Sequence, residues 1–392
     1  MEHLRTAVAI DPKDSNTFDP IRKPASERPS GTANAEKRTD PFQFGSRYLE
    51  EGDDIFEFNA WDHVETDETY KEFAEEQYAK QREAPVNEFD KNRFNSDPAK
   101  WWNKFYGHNT TNFFKNRKWL QQEFPILSTL SSAEAPPCVL LEVGAGAGNS
   151  AFPILAQNQN PKLKIHACDF SKKAVELIRE NELYDQQHLQ ADVWDVAQVP
   201  TDEDNGLPPG LEEGSVDVVL MIFIFSALSP KQWDQATRNI WRVLKPGGLV
   251  LFRDYGRGDL AQVRFKKGRY LEENFYVRGD GTRVYFFEKA ELQEIWGGDK
   301  QNGNSEDASN EEVEKLTEAV QEMDLASGTG VSPRPKFEVL DIGVDRRMLV
   351  NRQRKLKMYR CWMQAKFRKP EEKSEKNNAV AAVDLESNSL AS

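Results

Sequence analysis

From Cys138 onward the chain alternates short apolar runs with amphipathic segments, and this alternation restricts the possible folds more than any other feature. "CVLLEVG", "LKIHACDF", "HLQADVW", "SVDVVLMIFIF" and "GLVLFRDYG" read as strands, with "AFPILAQ", "SKKAVELIREN" and "PKQWDQATRNIWRVL" as helices among them. Strands and helices alternating at this period predict an α/β fold with a doubly wound, mostly parallel sheet. Ligands of such sheets bind outside the carboxyl ends of the strands, so the turns that follow the strands are where chemistry is expected.

The first of these turns is "LLEVGAGAGNS". A dinucleotide fingerprint needs GxGxxG, but the third slot here is Asn149 and the glycines are Gly144, Gly146 and Gly148, preceded by Glu142. The resulting ExGxGxG resembles the S-adenosylmethionine loop of class I methyltransferases, in which bare backbone approaches the cofactor. Asp169 closes the second strand, where a carboxylate can accept from both ribose hydroxyls. Asp192 closes the third, placed to accept from an adenine amine, with Val193 packing on the ring. Each acid alone is more often a loop or cap residue; in this order they point to one cofactor.

A 38% hydrophobic share over 392 residues supports a sizeable core. The longest apolar run, residues 216–228, is too short for a membrane span and suits a buried strand. The first residues include acids and lack an apolar stretch, which reads against a secretory signal and for the cytoplasm. Three widely spaced cysteines fit reduced core thiols, and no metal site is expected.

The formal net charge is -13, yet the charge is unevenly spread. Acids gather in 48–90, 202–214 and from about 298, whereas basic residues gather near 104–118 and 346–369; local potential, more than the total, steers a polyanion. "WWNKFYGHNTTNFFKNRKW", residues 101–119, carries seven aromatics among basic side chains. Its Asn112, Phe113, Phe114, Lys115 and Arg117 combine stacking surfaces with cations, as single-stranded RNA requires. Arg346 and Arg347, with Arg352, Arg354, Lys355 and Lys357, are phosphate candidates, for which a solvated face is the plainer reading.

The segments "FGSRYL", "FNAWDHVE", "WNKFYGHNTTNFFKNRKWL", "ACDFSKKAVE", "VDVVLMIFIFSA", "LFRDYG", "ENFYVRGDGTRVYFF" and "RCWMQAKF" belong to no general methyltransferase pattern. Through them the chain from about 44 to 366 resembles the eukaryotic tRNA N3-cytidine methyltransferases, in particular the branch with a long N-terminal extension. It departs from the family pattern in "IFIFSALSP", in the acidic loop at 202–214 and in the linker at 298–312. Composition predicts disordered ends at 1–40 and 370–392 and a mobile acidic linker at about 298–312, and aromatics at helical spacing predict a helical N-terminal extension over 41–125 before a methyltransferase domain over 126–369; the resemblance implies that the extension binds RNA.

It further implies that Trp102 and Tyr106 close over S-adenosyl-L-methionine, in a pocket shared by Gly146, Asp169, Asp192, Val193 and Ile222, and that Arg47 and His63 face RNA. The implied reaction methylates N3 of cytidine 32 in the anticodon loop of threonine tRNAs, with serine tRNAs as the second class. A monomer is expected, with a partner such as seryl-tRNA synthetase left open. Asp254, at the end of the fifth strand, is the candidate for holding the cytosine amine, and Arg253 for a phosphate. The alternatives are a methyltransferase of proteins or small molecules, with the extension as its lid, and a non-catalytic RNA-binding scaffold.

Overall fold

The computed structural model describes residues 47–298 and 334–371. The expected disordered N-terminus, nearly all of the acidic linker with the helix after it, and the tail beyond residue 371 lie outside the described residues.

Five strands form the parallel heart of the sheet: β2 (Cys138–Val143), β3 (Leu163–Asp169), β4 (Leu189–Val193), β5 (Val216–Ile222) and β6 (Leu244–Tyr255). They lie in the order β4-β3-β2-β5-β6, each pair parallel. Their interiors are mostly apolar because helices cover both faces, as parallel strands require, with Glu142 and His166 as buried polar exceptions. Packing against one face are the helix Trp233–Val243 and the helix Lys289–Gly297, and against the other the helix Ala151–Ala156 and the helix Lys172–Arg179. The doubly wound reading of the alternating runs therefore holds.

Three antiparallel strands extend the sheet beyond β6. These are β11 (Leu356–Arg368), β10 (Glu338–Asn351) and, at the outer edge, β1 (Ala60–Asp62). Expected as a helical addition, the N-terminal region thus also contributes an edge strand. Its helix Glu68–Arg82 is capped by the Asp67 carboxylate, which accepts from the Tyr70 amide at 2.9 Å. Tyr70, Phe73, Ala74 and Tyr78 recur at helical spacing and bury one stripe. With Trp61 and Val64 they share a single core with Met348, Val350, Tyr359 and Cys361 of the two long strands.

Trp61 is fully buried, its indole N–H donating to the Ile55 carbonyl at 2.9 Å, so its role is structural. A small antiparallel sheet of β7 (Tyr270–Glu272), β8 (Phe275–Val277) and β9 (Arg283–Tyr285) stands apart from the main one.

Candidate functional site

A cavity opens at the carboxyl edge of β2, β3 and β5, where the alternating fold calls for one. The helix Pro98–Asn109 forms one wall. Asp97 caps it through the Lys100 amide at 3.0 Å, with Pro98 in its first turn. Trp102 and Tyr106, one turn apart on this helix, both line the cavity, with ring centroids 5.9 Å apart and planes inclined by 29°.

Gly144 and Gly146 form the opposite wall at φ of +66° and +58°. A Cβ on Gly146 would lie 2.4 Å from the Tyr106 hydroxyl oxygen, and one on Gly144 would lie 2.6 Å from the Ile224 side chain. Only glycine fits both the left-handed backbone and the space. The Asp169 carboxylate, at the same wall, accepts from the Gly146 amide at 2.9 Å and the Ser171 amide at 2.8 Å. Burial pushes its pKa up to about 6, the two amides opposing. Ile222 completes this side.

These residues fit S-adenosyl-L-methionine: a backbone cradle that a single Cβ would fill, a buried carboxylate with lone pairs left for hydroxyls, and two aromatic faces for a cation.

Several expected site residues stand elsewhere. Gly148 does not reach the cavity; its φ of +81° and a Cβ position 2.4 Å from the Phe152 ring make it a packing glycine. Glu142 is buried behind the turn, 3.5 Å from the Arg117 guanidinium, which also donates to Ser150 Oγ at 2.6 Å. Burial raises the Glu142 carboxyl to about 7 despite that cation. Arg117 therefore faces inward against the glycine-rich turn, where it also lines the cavity, and is not a surface cation beside Lys115.

Asp192 points away from the cavity, paired with Arg179 and accepting from Gln190, each at 2.8 Å; Val193 is 41% exposed. The wall in that direction consists of Trp194, Asp195 and Val196.

At the end of β6 both charged residues are interior. Arg253 is sandwiched between the Trp119 and Trp362 rings, 5.1 and 5.0 Å from their centroids, and is bonded to Asp345 and Gln364. Its exposure is 2%, that of an interior side chain. Asp254 is fully buried outside the cavity lining and accepts from the Ser226 amide at 2.9 Å and the Tyr255 amide at 2.8 Å. It fixes the backbone of two residues that do line the cavity.

The remaining RNA candidates divide in two. Near the cavity mouth Asn112, Phe113 and Lys115 are exposed, Phe114 half-buried, and both phenylalanines line the opening. Away from it, Arg47 lies over the Phe58 ring at 4.3 Å, and His63 stacks on Tyr48 beside Asp345. Arg346 pairs with Glu65 at 3.1 Å and Arg347 with Asp62 at 3.0 Å.

Sequence reading passed over part of the lining. Phe223 has φ of +59°, an outlier for a bulky residue, and its amide donates to the Arg253 carbonyl at 2.8 Å. Its ring meets Tyr255 at 5.0 Å, so the two form an aromatic ledge inside the cavity. Arg278, Asp280 and Thr282 reach the lining from the turn between β8 and β9. Phe223 was hidden in the apolar run "MIFIF", whereas the Gly-Asp-Gly of "VRGDGTR" is a legible hairpin signal.

A family model described as a methyltransferase domain matches residues 141–250. The chain is 45% identical over 93% of its length to the tRNA(Thr) (cytosine(32)-N(3))-methyltransferase of Saccharomyces cerevisiae, of which it spans 52%. It is 44% identical, over 83% of its length and 92% of the relative's, to the tRNA N(3)-methylcytidine methyltransferase trm140 of Schizosaccharomyces pombe. To the Mettl2 methyltransferase of the same description from Drosophila melanogaster it is 41% identical, over 85% of its length and 90% of the relative's. The parallel sheet, the glycine turn at its carboxyl edge and these relatives agree, and the chain belongs to the tRNA N3-methylcytidine methyltransferase family.

Proposed function

We propose that this chain transfers a methyl group from S-adenosyl-L-methionine to N3 of cytidine 32 in the anticodon loop of threonine tRNAs, without a synthetase partner. The observation that supports it most is one cavity lined both by a glycine and carboxylate cradle and by the aromatic pair Phe223 and Tyr255, with exposed Phe113 in the same lining.

When bound, the cofactor supplies an electrophilic methyl carbon next to a sulfonium. Trp102 and Tyr106 attract such a cation by about 0.5 to 2 kcal/mol. Neutral cytosine N3 already carries a lone pair, so no side chain need remove a proton there. The work of the protein is to take the base out of its loop, hold N3 in line and exclude water. Phe223 and Tyr255 offer the stacking surface for the extruded base, and Asp254 holds Tyr255 in place through its amide. The product base is positively charged. Asp280 is a lining carboxylate able to lower the energy of that charge.

Incubation of the protein with cofactor and individually purified tRNAs, followed by mass spectrometry of the nucleosides, tests the reading. 3-Methylcytidine at position 32 of threonine tRNA supports it, and addition of seryl-tRNA synthetase should change nothing for that substrate. Methylation of serine tRNAs only, and only with the synthetase, would overturn the substrate assignment.

A further inference from the structure

Strands β10 and β11 run well past the carboxyl edge of the sheet. Strand β6 ends at Tyr255, opposite Trp362, whereas β11 begins at Leu356. At 3.3 to 3.4 Å per residue, the stretch from Trp362 back to Leu356 projects about 20 Å beyond β6. It does so on the side where the glycine turn and the cavity lie, since Tyr255 itself lines the cavity.

An unsupported two-stranded hairpin of this length is marginal in water. Here the N-terminal region braces it. Strand β1 pairs only with the overhanging part of β10, Ala60 with Leu349 and Asp62 with Arg347. Tyr70 packs on Tyr359 at 4.7 Å, and Asp67 accepts from the Tyr359 hydroxyl at 2.9 Å and pairs with Lys357 at 2.6 Å. The overhang is therefore a stiff finger.

Its tip is basic. Of the six cations in the stretch from Arg346 to Lys357, three are engaged inward by Glu65, Asp62 and Asp67. The other three, Arg352, Arg354 and Lys355, are exposed at the turn. The Arg352 guanidinium donates to the Glu57 carbonyl at 3.4 Å, and the Lys355 ammonium lies 3.7 Å from the centroid of the Phe56 ring, so both charged heads lie against the N-terminal loop while remaining exposed. That loop is acidic, but the Asp53 and Asp54 carboxylates accept from the amides of Glu50 and Phe56, and no ion pair among the described residues joins the loop to the tip cations.

We propose that the tip of this hairpin, through Arg352, Arg354 and Lys355, grips the phosphate backbone of the anticodon stem while the loop base enters the cavity. The proposal rests on the tRNA reading above. Duplex phosphates within about 20 Å of the loop are the ligand a rigid basic finger beside the cavity fits, and such contacts position without reading sequence.

The test compares wild type with the R352A/R354A/K355A variant for binding to a threonine anticodon stem-loop between 50 and 200 mM salt. Each lost phosphate contact removes about 0.9 from the slope of log affinity against log salt. The expected loss is about 2 to 3 in slope, so the wild-type advantage shrinks roughly 40-fold across that range. Cofactor affinity by calorimetry, melting temperature and kcat at saturating RNA should be unchanged. The R352K/R354K variant should keep the wild-type slope, and an unstructured loop oligonucleotide should not distinguish the proteins. An unchanged slope in a wild type that methylates tRNA overturns the finger alone, as does a shifted melting temperature with an unchanged slope; a wild type that neither binds nor methylates tRNA overturns both readings.

Discussion

Asp169 and Asp254 are nearly the same group in two places. Each stands at the carboxyl end of a parallel strand, each is buried, each accepts from two backbone amides, and burial raises each to about 6. Yet Asp169 lines the cavity and Asp254 does not. The neighbours make the difference. Asp169 faces a turn of glycines whose missing side chains leave space, whereas Asp254 lies opposite Met363 of β11, and the long antiparallel strand seals it in. An acid at a strand end is a candidate for chemistry; what covers it decides whether it touches a ligand or holds the wall that does.

The largest effect should follow Asp169→Ala. It removes the acceptor for two buried amides and the expected ribose contacts, and charge-assisted hydrogen bonds contribute about 1.5 to 3 kcal/mol each. Cofactor affinity measured by calorimetry should fall at least about 100-fold, with 1.4 kcal/mol per tenfold. Unchanged affinity would remove this cavity from the cofactor assignment. Gly146→Ala attacks the same wall by shape: left-handed backbone with a Cβ costs about 1 to 3 kcal/mol, and the Tyr106 hydroxyl must also move. A loss of roughly 10- to 100-fold in the same titration is expected.

At Asp254 the ordering of effects should invert. Asp254→Ala leaves the Ser226 and Tyr255 amides without an acceptor, at about 1 to 3 kcal/mol each, so the melting temperature should drop before cofactor affinity changes. Methyl transfer should slow through displacement of Tyr255. A variant with full stability and a kcat reduced as far as by loss of a base contact would return Asp254 to direct chemistry.

The same pair gives opposite pH slopes for two measurements. A carboxyl whose pKa is about 6 when folded and near 3.9 when unfolded binds more protons when folded, so its contribution to stability declines as pH rises from about 4 to 6 and is level above. Asp254→Asn should flatten that part of the stability profile. Cofactor binding needs Asp169 charged and should weaken as pH falls through about 6, in wild type and in Asp254→Asn alike. A change in the binding profile of Asp254→Asn would end the distinction drawn between the two acids.

The parallel sheet was legible because periodicity and apolar runs report burial directly, and the glycine turn because only glycine fits at Gly144 and Gly146; the order of the strands and the edge strand β1 were not, since they depend on pairings between distant segments. The strip at 101–119 was legible in part: Trp102 and Tyr106 reach the cavity and Phe113 opens outward, but Arg117 turns in to meet Glu142. That inward pairing depends on a residue 25 positions away, and local sequence carries no sign of it. Arg253 was hidden for the same reason, since Trp119, Asp345 and Trp362 meet around it only after β11 has packed on β6.

The smallest effect tests the comparison from outside. Asp192 ends β4 with the chemistry expected of an adenine contact, but it pairs with a half-exposed Arg179 on the far side of the strand end. An exposed pair of this kind contributes about 0 to 1 kcal/mol to stability and none of it to the cavity. Asp192→Ala should therefore shift the melting temperature by a degree or two and leave cofactor affinity within about twofold. Asp195→Ala, in the wall itself, should weaken binding more than Asp192→Ala in the same calorimetric titration. If Asp192 proves the more sensitive, the bound cofactor recruits its carboxylate by breaking the Arg179 pair, and the far edge of β4 belongs to the site after all.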